Sequence, residues 1–163
     1  NNSLPYIYQK KTMKYILHFI VLVLLTSCNL NDDDNNKNFT AENEAEILAY
    51  IEANNLDAKK TASGLYIVTK NIGTGKQPTR ANNVTVAYRG YFTNNRTFDE
   101  SVNGVSFNLS QVIAGWQEGI TNFKEGGSGI LLIRSRLAYG NAGTRGIPGG
   151  SVILFDINLI SVN

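Results

Sequence analysis

Histidine and cysteine are almost missing from this chain of 163 residues: there is one of each, His18 and Cys28, both near the start. Beyond Cys28 no Ser-His-Asp triad, Cys-His pair or Cys/His zinc site can be assembled, because each needs an imidazole or a thiolate. A single cysteine also leaves no disulfide within the chain, so the fold must rest on core packing. Methionine occurs once, at Met13, tryptophan once, at Trp116, and there are only 3 prolines. Charge of either sign is modest, 15 bases against 13 acids, and three of the bases, Lys10, Lys11 and Lys14, precede Cys28 without an acid among them. Without those three, 12 bases face 13 acids and the remainder carries −1. A nucleic-acid partner calls for a basic face, and none is evident. The longest apolar run, Tyr15 to Leu25, is too short to span a bilayer, which needs roughly 20 residues.

That run fits the apolar region of a signal peptide, with Lys14 as its positive flank and the small residues Thr26 and Ser27 before Cys28. Leu25-Thr26-Ser27-Cys28 resembles a bacterial lipobox, which implies cleavage before Cys28 and a lipidated mature N-terminus. A thioether-linked diacylglycerol and an amide-linked third chain are the expected anchor, and more than one acyl chain suffices for stable attachment. The expected segments are an upstream extension at 1–12, a lipoprotein signal peptide at 13–27, the lipidated cysteine with a polar tether at 28–39, a short helix and linker at 40–60, and one domain at 61–163. The expected localisation is the bacterial outer membrane, at its periplasmic face or the cell surface. Asp32-Asp33-Asp34 resembles the acidic signal with which some Bacteroidetes export lipoproteins to the surface; a solvated linker is the alternative.

Past the tether, Thr40 is the expected N-cap of a helix, with Glu42 and Glu44 where the helix dipole favours acids. Ile47, Leu48, Tyr50 and Ile51 supply its apolar face, and Asn54-Asn55 its stop. This helix is expected either to pack on the domain or to support a dimer. From Leu65 onward the pattern changes to strands and turns. Val84, Val86 and Tyr88 alternate with Thr85, Ala87 and Arg89, and Ile153, Phe155, Ile157 and Leu159 share one face of a strand over 151–162. Further strands are expected over 65–69 and 129–134. Between them, Gln111 to Phe123 reads as one short helix with Val112, Ile113, Trp116, Ile120 and Phe123 on its apolar stripe. Such a set makes one small α+β domain. The glycine-rich segment Gly140 to Gly150 lacks the Gly-Lys-Ser/Thr ending of a phosphate loop and leads into a strand, so it reads as a loop beside a site.

Four separated segments resemble the FKBP-type peptidyl-prolyl cis-trans isomerases, the family that binds tacrolimus and rapamycin. They are Val84-Thr85-Val86-Ala87-Tyr88-Arg89-Gly90, Phe98-Asp99, Val112-Ile113-Ala114-Gly115-Trp116, and Leu137-Ala138-Tyr139-Gly140 with Ile147-Pro148 and Phe155-Asp156. The resemblance implies a curved antiparallel sheet of five to six strands wrapped around one short helix, with a pocket between them. It implies Trp116 as pocket floor and Tyr88, Phe98, Val112, Ile113 and Phe155 as walls. The Ile113 N–H would bind a substrate carbonyl next to the proline, Tyr139 would offer its hydroxyl to a second, Asp99 would stand at the rim, and Ile147 would cover one side. Tyr88, Phe98, Asp99, Ile113, Trp116 and Tyr139 are thus the implied catalytic set, and Val105, Val112, Ile147 and Phe155 the substrate-binding set. The implied substrates are proline-containing polypeptides, with no metal or cofactor required.

Three features depart from the family pattern. The stretch from Asp99 to Phe107 reads as a shortened loop without the arginine that many members pair with the aspartate, and Val105 stands where an aromatic wall often lies. The loop after Tyr139 is compact, without an inserted chaperone domain, and Gly149 follows Ile147-Pro148 where a second proline is frequent. The alternative left open is a binding module of the same fold that holds proline segments with little turnover.

Overall fold

The computed structural model describes residues 37–163; the expected signal peptide, Cys28 and the aspartate run lie outside the described residues. Its first element is helix α1, Thr40–Ala53. Thr40 lies inside this helix and does not cap it. The N-cap position is held by Phe39, whose side chain makes no capping bond, and Asn38 Oδ1, one residue earlier, accepts the Thr40 N–H at 3.0 Å. The stop is where the paired asparagines suggest, with Asn54 as C-cap and Asn55 turned to φ 50°.

Six strands follow: β1 Ala58–Lys60, β2 Tyr66–Asn71, β3 Asn83–Tyr91, β4 Thr97–Asn108, β5 Ser128–Ile133 and β6 Ile153–Val162. They form one antiparallel sheet in the order β1-β2-β5-β6-β3-β4. The α+β architecture expected from the sequence is therefore present, with six strands. β1 was not legible as a strand and falls in the expected linker; Ala58-Lys59-Lys60 has no apolar alternation and is ordered by pairing with β2.

Alternation sorts the side chains of the central strands onto two buried faces. On the inner face Leu131, Ile133, Ile153, Phe155, Ile157 and Leu159 pack against Trp116, Ile120 and Phe123. On the outer face Tyr66, Val68, Tyr91, Ile130, Leu132 and Leu154 receive Ile47 of α1. Ile47 is fully buried, which contributes about 1.5–3 kcal/mol relative to exposure. Of the two roles open to this helix in the sequence, the structure shows packing on the domain.

α1 is also held by polar contacts. The Glu44 carboxylate accepts from Lys60 Nζ, Tyr66 O–H and Arg134, which draws its pKa below the usual 4.5, the Lys60 hydrogen bond being the largest cause. Asn43, 2% exposed, donates from Nδ2 to the Gly150 carbonyl at 2.7 Å and accepts the Ser135 N–H at Oδ1 at 2.8 Å. One side chain thereby ties the helix to both flanks of the glycine-rich segment.

Two elements differ from expectation around the inner face. The stretch from Asp99 to Phe107 is not a loop between strands but the body of β4. The β3–β4 register passes from Val86↔Val105 to Tyr88↔Ser101, so Val102, Asn103 and Gly104 bulge opposite Ala87, with Gly104 at φ 84°. The strand therefore continues through residues whose polarity suggested a loop. The expected single helix over 111–123 is three pieces: a 3-10 turn Leu109–Gln111, helix α2 Ala114–Gly119, and a second 3-10 turn Ile120–Asn122. Val112 and Ile113 precede α2 in extended conformations.

Candidate functional site

A cavity of about 520 Å³ opens between α2 and the inner face of the sheet. Trp116, on the first turn of α2, is its centre. The indole meets three rings edge-on: Phe155 at 5.1 Å between centroids, Tyr88 at 5.2 Å and Phe107 at 5.3 Å, with interplanar angles of 82°, 86° and 82°. Phe98 closes the group, edge-on to Phe155 at 5.6 Å. Edge-to-face pairs of this kind are worth about 0.5–1.5 kcal/mol each beyond their burial, so the aromatic walls are mutually braced.

The strands explain why these rings meet. β3 contributes Tyr88, its antiparallel neighbours β4 and β6 contribute Phe98, Phe107 and Phe155, and Gly90 lies opposite Phe155. A Cβ on Gly90 would come within 2.7 Å of both Phe155 Cε1 and Phe98 Cε2. Glycine at 90 is what lets two rings close over the strand.

Polar groups share the lining with these rings. Tyr88 O–H donates to Asp99 Oδ2 at 2.7 Å across the β3–β4 pair. Burial first, then that hydrogen bond, pushes the Tyr88 phenol well above its usual range. The Tyr139 phenol is raised as well, by burial and then by the charge of Asp99. Both hydroxyls are protonated donors at neutral pH. Before α2, Gln117 Nε2 donates to the Val112 carbonyl at 2.8 Å and fixes the approach to Ile113, whose own carbonyl accepts from Trp116 and Gln117. Among the described residues the Ile113 N–H has no acceptor and the buried Trp116 Nε1 none either.

Of the site residues expected from the sequence, Tyr88, Phe98, Asp99, Val112, Ile113, Trp116, Tyr139, Ile147 and Phe155 line this one cavity. Val105 does not. It is 39% exposed on the edge strand β4, and the aromatic wall expected near it is supplied by Phe107, two residues along the same strand. Phe107 was hidden because its segment read as a loop. Gln111, Thr144 and Arg145 also line the cavity without having been singled out.

Comparison with known proteins bears on the family and the fold. The sequence model of one family, described as FKBP-type peptidyl-prolyl cis-trans isomerase, matches residues 74–160, and the chain belongs to that family. A curated relative in Escherichia coli, FKBP-type peptidyl-prolyl cis-trans isomerase FkpA, is 39% identical over 127 residues, covering 75% of this chain and 47% of the relative. A probable FkpA from Neisseria meningitidis is 46% identical over 109 residues, covering 64% and 40%. The chain thus spans less than half the length of these relatives. The crystal structure of FkpA from Escherichia coli superposes with a TM-score of 0.70 at 30% identity, covering 100% of this chain and 75% of that one.

Proposed function

We propose that this domain is a peptidyl-prolyl cis-trans isomerase acting on X-Pro bonds of proteins outside the cytosol and assisting their folding. The observation that carries the reading is the braced aromatic cavity around Trp116, with an Ile113 N–H unpartnered among the described residues and the Tyr139 phenol at its wall.

Rotation about X-Pro breaks no covalent bond but faces a barrier of about 18–20 kcal/mol, and uncatalysed exchange takes tens to hundreds of seconds. Twisting the amide removes the resonance that places charge on oxygen, so the twisted form is less polar than the planar one. An aromatic cavity therefore disfavours the planar ground state more than the transition state. Trp116, Tyr88, Phe107 and Phe155 seat the proline ring, while Ile113 N–H and Tyr139 O–H take substrate carbonyls and hold the chain in a turn. Asp99, fixed by Tyr88, stands at the rim beside the twisting amide. Tacrolimus and rapamycin are expected to occupy the same cavity.

The lipobox supports a second part of the proposal: Cys28 is lipidated and tethers the domain to the outer membrane, at the periplasmic face or the cell surface. Cys28→Ser should leave the protein unprocessed or soluble; unchanged membrane association would overturn this. Replacement of Trp116 by alanine should abolish isomerisation of an X-Pro peptide in a protein that remains folded, and full activity in that variant would overturn the site.

A further inference from the structure

Among the described residues that line the cavity, Arg145 is the only base and Asp99 the only acid, and neither makes an ion pair with another described residue. Asp99 is engaged by Tyr88, whereas no hydrogen bond is made by the Arg145 guanidinium among the described residues. The backbone beneath Arg145 is nevertheless fixed. Thr144 and Ile147 form a bridge with two hydrogen bonds of 2.9 Å, leaving Arg145 and Gly146 as a two-residue tip, with Gly146 at φ 82°. Ile147 is buried against the cavity's core, and Asn43 pins Gly150 beyond it. A long cation is thus presented from a hydrogen-bonded turn at the cavity wall, with no partner among the described residues to neutralise it.

Building on the isomerase reading, we propose that Arg145 is a specificity-determining residue that selects proline segments with an acidic side chain next to the isomerised bond. A planar guanidinium recognises carboxylate through paired N–H donors. Asp99 opposes such a substrate, but its carboxylate already accepts the Tyr88 hydroxyl and lies on β4, whereas Arg145 extends from the separate turn. An exposed pair of this kind is worth about a two- to five-fold preference.

The test uses the full chain in detergent with two pairs of peptides, carrying Glu or Lys immediately before the proline in one pair and immediately after it in the other. The quantity read is the Glu-to-Lys ratio of kcat/KM, which is insensitive to differences in active fraction. At low salt the ratio should favour Glu by about two- to five-fold in at least one pair. It should shrink at 1 M salt, where the Debye length falls to about 3 Å. Arg145→Gln should bring it close to one and Arg145→Glu should invert it. A ratio of one in both pairs, or a preference that Arg145→Gln leaves intact, overturns the proposal. If no peptide is turned over, the isomerase reading fails by itself, and the same ratio is read from peptide affinities by Trp116 fluorescence; equal affinities for Glu and Lys peptides then overturn the role of Arg145.

Discussion

Asn43 is the most demanding test of how the fold supports the site. Its amide bridges the Ser135 N–H and the Gly150 carbonyl, the two ends of the segment that carries Tyr139, Arg145 and Ile147. Asn43→Ala leaves one buried donor and one buried acceptor without partners. Each orphaned group costs about 1–3 kcal/mol, so the pair costs about 2–6 kcal/mol. For a domain of this size 1 kcal/mol corresponds to about 3–5 °C in Tm, and the variant should melt roughly 6 °C or more below the parent. Asn43→Asp keeps the acceptor for Ser135 but sets an oxygen against the Gly150 carbonyl, so it should also lose stability. Leu48→Ala, on the exposed side of the same helix, should stay within about 0.5 kcal/mol. Thermal unfolding followed by circular dichroism reads all three. An Asn43→Ala variant melting within about 2 °C of the parent would refute the reasoning, because the two buried groups would then have found other partners.

Three further outcomes follow from the packing and charges. Ile47→Ala removes a fully buried side chain between α1 and the sheet and should cost about 2–5 kcal/mol by denaturant unfolding. Gly90→Ala forces a Cβ against Phe98 and Phe155, and should cost about 1–3 kcal/mol and lower kcat/KM for a proline peptide. The Glu44 carboxyl is held below its ordinary value, chiefly by Lys60, so its contribution is present above the unfolded pKa and lost as pH falls through the folded one. Glu44→Gln should therefore lower Tm at about pH 7, with the gap from the parent closing as pH falls through the folded pKa of Glu44.

Much of the site was legible because its residues are large and periodic. The alternation of Val84, Val86 and Tyr88, and of Ile153, Phe155 and Ile157, marked the inner face directly, and the lone Trp116 marked its helix. What stayed hidden depends on partners distant in sequence or on irregular backbone. Phe107 lies opposite Val84, beyond the bulge at Val102-Asn103-Gly104, in a stretch whose polarity reads as a loop, and it meets Tyr88 only through the fold. Nothing in the sequence marks Asn43, since its partners lie 92 and 107 residues away. β1 has no pattern of its own and exists only through its pairing with β2.

The central claim is tested most directly by isomerisation of an Xaa-Pro peptide, with the domain beginning near Asn38 set beside an Asp99→Ala, Trp116→Ala variant shown by circular dichroism to remain folded. The account predicts catalysis by the parent and its loss in the variant. A parent that binds the peptide without accelerating exchange, or a folded variant as active as the parent, would contradict it.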